Sequence, residues 1–128
     1  MEKKRLVCKF DSDAQKVELE FLPDSGVQGV MHLDETQFTK LIQQLGKVRS
    51  ELVKNKPIPD LVGNEILAVF NTKWYVQPEG MTDGSLLAFQ HPSFGSLGFV
   101  MPRDQVQHLV SLLSQQLQTP PLSEGKKN

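Results

Sequence analysis

Apolar residues recur along this chain at two spacings, and the change from one to the other marks its elements. Over residues 5–10 the period is two, with Leu6, Cys8 and Phe10 on one side, which predicts a strand. Asp11-Ser12-Asp13-Ala14-Gln15 is turn chemistry. Residues 16–21 predict a second strand, with Val17, Leu19 and Phe21 on one side and Lys16, Glu18 and Glu20 on the other. One apolar face and one charged face suit an antiparallel sheet with a wet side. Pro23-Asp24-Ser25-Gly26 breaks that strand, and residues 27–33 predict a third, interrupted at Gly29. The period then becomes helical. Asp34 followed by Gln37 has capping-box spacing. Phe38, Leu41, Ile42, Leu45, Val48 and Leu52 form one stripe, more readily core than groove-binding. Gly46 weakens that helix by up to ~1 kcal/mol.

Residues 55–64 contain Pro57 and Pro59 and predict a linker. Beyond it, strands are predicted at 66–71, 74–77, 86–91 and 97–101, with a loop at 79–85 and a turn at Pro92-Ser93-Phe94-Gly95. Pro102 suits the first turn of a second helix, whose stripe is Val106, Leu109, Val110, Leu113 and Leu117. Residues 119–128, with two prolines, a glycine and two lysines, predict a disordered tail.

The halves resemble each other. Leu33, Gln37, Leu41, Ile42 and Leu45 lie 68 positions before Met101, Gln105, Leu109, Val110 and Leu113. Pro23, Gly26 and Gly29 lie 69 before Pro92, Gly95 and Gly98. The one-residue slip falls in turns, where insertions are tolerated. The expectation is an α+β, two-layer fold, an antiparallel sheet with two amphipathic helices, built from a duplicated strand-turn-strand-helix unit. It is read as a single domain over 1–118, with repeat halves at 5–54 and 65–118.

Composition narrows the classes. With 128 residues, 38% hydrophobic and 23% charged, the chain is an ordinary globular sequence. Its net charge of −1 supplies no global field toward nucleic acid or an anionic membrane. The one cysteine, Cys8, excludes an intramolecular disulfide and fits a reducing compartment. It is expected to pack as a small hydrophobe. The three-residue apolar stretch Leu6-Val7-Cys8 after Met1-Glu2-Lys3-Lys4-Arg5 is too short for a secretory h-region. No run reaches the ~18 residues of a membrane span. The expected location is the cytoplasm.

Catalytic and metal motifs are sparse. Asp11-Ser12-Asp13 opens like a calcium loop, but Lys16 and Leu22 stand where that loop needs glycine and glutamate. His32, His91 and His108 have no i, i+4 pairing, so no metal and no cofactor are expected. Gly95-Ser96-Leu97-Gly98 reads as a hairpin turn, not a phosphate cradle. His91-Pro92-Ser93-Phe94-Gly95 reads as a structural turn.

Charge distribution is the strongest functional hint. Residues 1–64 hold 10 basic and 10 acidic side chains, whereas 65–128 hold 4 and 5. The second helix carries Gln105, Gln107, His108, Ser111, Ser114, Gln115, Gln116 and Gln118 at its polar positions. Interface cores are depleted in charge because desolvating ions is costly. Trp74 and Tyr75, adjacent on a strand, should face opposite sides, one in the core and one exposed. The expectation is a small, non-enzymatic interaction protein: an adaptor, regulator or inhibitor. Its protein-binding surface would use Trp74, Tyr75, Phe94, Gln107, His108, Ser111 and Gln115, toward a protein partner or a second copy. The alternative is a small-molecule-binding domain or small enzyme, with Glu79, Asp83 and His91 at the mouth of a cleft between the halves. Nucleic-acid binding ranks lower. It would need Lys3, Lys4, Arg5, Lys47, Arg49, Lys54 and Lys56 gathered on one face.

Overall fold

The computed structural model describes residues 3–121. The tail expected at 119–128 lies mostly outside them, from residue 122 on. The chain divides into two compact units, Met1–Ile66 and Leu67–Asn128. Each is an antiparallel three-stranded sheet followed by a helix, so the fold is mixed α+β.

In the first unit, β1 (Leu6–Asp11), β2 (Lys16–Phe21) and β3 (Val30–Leu33) pair in the order β1-β2-β3. The register sets Leu6 opposite Phe21, Cys8 opposite Leu19 and Phe10 opposite Val17; Leu19 and Val17 also face Met31 and Leu33. Directly opposed residues share a face, so these eight side chains form one apolar face. The reverse face carries Lys9, Lys16, Glu18, Glu20 and His32, with an ion pair of 3.4 Å between Lys9 and Glu20. Helix α1 (Glu35–Val53) begins on the expected capping box: the Gln37 amide donates to Asp34 Oδ1 at 2.8 Å, and the Asp34 amide donates to Gln37 Oε1 at 3.0 Å. It packs on β2 and β3. Among the described residues, Leu19 is the one buried apolar side chain, at 6% exposure.

Three expectations fail here, each for a geometric reason. The α1 stripe is half-buried at Phe38, Leu41 and Ile42, yet Leu45, Val48 and Leu52 are exposed. A helix of 19 residues is about 28 Å long. Strand β2, with six residues, spans only about 20 Å, so the last turns of the helix, with Val48 and Leu52, extend beyond a strand of that length. Cys8 lies on β1, away from the strands that α1 covers, and is exposed. The third strand also starts at Val30, not residue 27. Gly26 and Gly29 take φ values of 76° and 122°, which turn the chain before the ladder can form.

In the second unit, β4 (Trp74–Glu79), β5 (Gly84–His91) and β6 (Gly95–Met101) pair in the order β4-β5-β6, and α2 (Arg103–Leu117) follows. Pro102 is the N-cap, one residue before the expected first turn. The strand expected at 66–71 is absent. Ile66-Leu67-Ala68-Val69-Phe70 joins no ladder, and Asn71 has φ of 58°. That left-handed residue turns the chain before β4, so the run's β-propensity finds no neighbouring strand.

The internal resemblance extends to geometry. The starts of β1, β2 and α1 precede those of β4, β5 and α2 by 68 residues, and both ladder registers shift by the same amount. The left-handed Gln15 and Asp83, each with φ of 52°, are also 68 apart. In each first hairpin an acidic residue accepts the turn amides: Asp11 those of Asp13 and Ala14, Glu79 those of Met81 and Thr82. These correspondences are compatible with a duplicated unit.

Candidate functional site: an uncharged sheet face

The two sheets have the same register but different chemistry. On the reverse face of the first, Lys9, Lys16 and His32 are exposed and Glu18 and Glu20 half-buried. The positions 68 residues on are Gln77, Gly84, Leu86, Ala88 and Val100. Val7 corresponds to Tyr75. Thus the middle of one face of β4-β5-β6 carries Tyr75, Gln77, Leu86, Ala88, Gly98 and Val100 with no Asp, Glu, Lys, Arg or His among them, and Glu79 stands on the same side at the end of β4. Tyr75 is 54% exposed and Val100 49%.

Small residues shape a depression in this face. Gly98 sits opposite Ala88, and a Cβ on Gly98 would lie 2.9 Å from Leu86 Cδ1. The Leu86 side chain therefore lies over the glycine. Tyr75, Leu86, Ala88, Gln90, Ser96 and Gly98 line an open groove of about 550 Å³, which Lys73, Trp74, Phe89 and Leu97 also border. Gln90 donates to Ser96 Oγ at 2.7 Å, a neutral polar rim. No α2 residue lines the groove. The opposite face of the sheet holds Val76, Leu87, Phe89, Leu97, Phe99 and Met101.

The residues singled out from sequence fall in separate places. Tyr75 and Trp74 both border the groove. Neither is core: Trp74 is 68% exposed. Phe94 lies in the β5–β6 turn, its ring 4.6 Å from the imidazole of His91 and tilted by 34°. His91 Nδ1 accepts from the Ser93 amide at 3.0 Å, and Gly95 has φ of 80°, so this segment is built as a turn. Gln107, His108, Ser111 and Gln115 are exposed along one stripe of α2.

Glu79, Asp83 and His91 are not brought together. Glu79 and Asp83 flank the β4–β5 turn, while His91 ends β5, about 25 Å away by strand rise. The Glu79 carboxylate accepts from the Thr82 hydroxyl at 2.7 Å, the Met81 amide at 3.0 Å and the Thr82 amide at 2.9 Å. The Thr82 hydroxyl first, then those amides, hold its pKa below the ordinary value. Asp83 takes two hydrogen bonds from the Arg103 guanidinium, at 3.1 and 3.2 Å, which together with its charge raise the Arg103 pKa. Both acids are occupied in fastening the turn.

A second open depression, of about 700 Å³, is lined by Lys3, Lys4, Arg5, Leu6 and Asp24. Of the other cations named from sequence, Lys54 is paired with Glu51 at 2.9 Å. Among the described residues, no group of three or more His, Cys, Asp or Glu side chains is placed to hold a metal ion, and no helix is long and apolar enough to cross a membrane.

Sequence reasoning missed Leu86, Ala88, Gly98 and Val100. The signal was present: Lys16-Val17-Glu18-Leu19-Glu20-Phe21 alternates, whereas Gly84-Ser85-Leu86-Leu87-Ala88-Phe89 does not. A strand apolar on both sides needs cover on both sides. Comparison with known proteins supplies no relative to assist: no family model matches the chain, and no curated protein or solved structure does.

Proposed function

We propose that this chain is a small, non-enzymatic interaction protein, an adaptor, regulator or inhibitor of the cytoplasm, and that it works through the uncharged face of β4-β5-β6. The observation that carries this reading is the loss of charge between equivalent positions. Glu18 and Glu20 become Leu86 and Ala88, and Lys9 becomes Gln77. The first sheet's reverse face is made for water and the second's for contact with protein, since interface cores are depleted in charge. Tyr75 and Trp74 at the groove are the residue types that most often anchor such contacts.

The test is native mass spectrometry of tagged protein recovered from its host. Wild type and Glu18→Ala are expected to carry additional protein mass. Leu86→Glu, with helix and sheet content unchanged by circular dichroism, is expected to lose it. Equal recovery with Leu86→Glu, or a bare monomer for wild type, would overturn the proposal.

A further inference from the structure

The two sheets have four edge strands, β1 and β3 in the first and β4 and β6 in the second. Three of them carry a feature that discourages pairing with another chain. Strand β1 holds Lys9 and Asp11 and follows Lys3, Lys4 and Arg5; β3 is only four residues long; β4 contains Pro78. Strand β6 has none of these. Its seven residues include no proline and no charged side chain, and Phe99 and Val100 are 57% and 49% exposed. The Gln90 amide donates to the Lys73 carbonyl at 2.9 Å. The even-numbered residues of β5 therefore aim their backbone groups at β4 and the odd-numbered ones at β6. By the β5–β6 register, Leu97 and Phe99 are then bonded to β5, while the backbone groups of Ser96, Gly98 and Val100 point out of the sheet. Among the described residues, no turn or loop backbone group bonds to them.

Resting on the interaction reading above and naming its partner, we propose that β6 pairs antiparallel with β6 of a second copy, about a two-fold axis through Gly98. The strand is self-complementary in that register. Leu97 meets the second copy's Phe99, Ser96 meets Val100 and Gly95 meets Met101, and a strand without charge desolvates no ion. The outward-pointing residues face one another and exchange about six main-chain hydrogen bonds. An axis through Leu97 leaves about four of these, and so does one through Phe99. That last register also sets Pro102, which has no N–H, opposite Ser96. Facing glycines leave no Cβ at the centre, and the Leu86 side chain, which lies over Gly98, covers the junction. The product joins two three-stranded sheets into one and doubles the face that carries Tyr75, Leu86, Ala88 and Val100. Main-chain bonds supply the affinity in edge pairing, so the dimer is concentration-dependent, not obligate.

Sedimentation velocity on the purified full chain, with circular dichroism as the check on fold, tests this. Wild type is expected to dimerise with increasing concentration. Val100→Pro removes an outward N–H but no bond to β5. Pro78, opposite the odd-numbered Ser85, already stands in that relation on β4. The variant should weaken dimerisation about tenfold or more. Val100→Ala shortens the same side chain but keeps the N–H, and should stay within about threefold of wild type. Leu86→Glu, which brings two carboxylates beside the axis, should weaken the dimer as well. In a mixture of isotope-labelled and unlabelled wild type, a filtered NOE is expected between Leu97 Hα and the second copy's Phe99 Hα, because that non-hydrogen-bonded pair sets the Cα atoms about 4.5 Å apart. A wild type that stays monomeric, a Val100→Pro variant that dimerises like wild type, or a dimer without that NOE would each overturn the edge pairing. A pure monomer that still captures a different protein from its host, and loses it in Leu86→Glu, would overturn the pairing and leave the interaction reading standing.

Discussion

Replacing Leu19 with alanine tests whether the first unit is organised around the contact between α1 and β2. Leu19 is 6% exposed and lies between Cys8 and Met31 on the apolar face. Losing its buried carbons forfeits about 2 kcal/mol of transfer free energy, and the cavity left behind adds more, for about 2–4 kcal/mol in all. Leu45 is the control. It sits on the same helix, 59% exposed. With under half of its surface covered, Leu45→Ala should cost about 1 kcal/mol or less. The assay is urea unfolding followed by circular dichroism at a helix wavelength, with both variants measured against wild type. At an m-value near 1.5 kcal/mol/M, Leu19→Ala should lower the midpoint by about 1.5–2.5 M and Leu45→Ala by about 0.5 M. Equal midpoints for the two variants would refute the claim that the helix is anchored through its first half and overhangs through its second.

Three further outcomes are expected. Gly84→Ala should destabilise the second unit by about 1–3 kcal/mol, because an added Cβ would collide with the Met101 carbonyl oxygen and reach Pro102 Cα at 3.0 Å; the midpoint of urea unfolding followed by Trp74 fluorescence checks this. Asp34→Ala should cost about 1 kcal/mol by removing the capping-box acceptor, and Asp34→Asn should recover most of it in the same unfolding assay. The lowered Glu79 pKa fixes a sign. Its contribution is fully present above the unfolded-state pKa and is lost as pH falls through the folded-state value. Melting temperature measured across the acid range should therefore fall less steeply in Glu79→Gln than in wild type.

How much of this was legible in the sequence depended on whether the causes were local. The capping box at Asp34 and Gln37, the alternation of β2 and the turn at Gly95 are properties of a few adjacent residues, and each is found where the pattern puts it. The run at 66–70 has strand propensity but lacks a strand beside it, which no local pattern reveals. The exposed half of α1 follows from the relative lengths of two elements. For the site, the depletion of charge in the second half was visible, and it drew notice to the glutamines of α2. The sheet face emerged only when the ladders fixed which residues share a side: Leu86 faces Gln77 and Val100, not Leu87. The trio Glu79, Asp83 and His91 illustrates the opposite error, since nearness in a loop-rich sequence became separation along a strand.

The central claim is that Leu86, Ala88 and Val100 are covered by protein in the working state. Methyl NMR with a soluble nitroxide measures this directly. In the associated state these three methyl groups should be shielded from the nitroxide, while the half-buried Val7, at the position equivalent to Tyr75 on the charged face, keeps the accessibility it has in the monomer. Relaxation enhancement at Leu86, Ala88 and Val100 as strong in the associated protein as in dilute monomer would contradict the account.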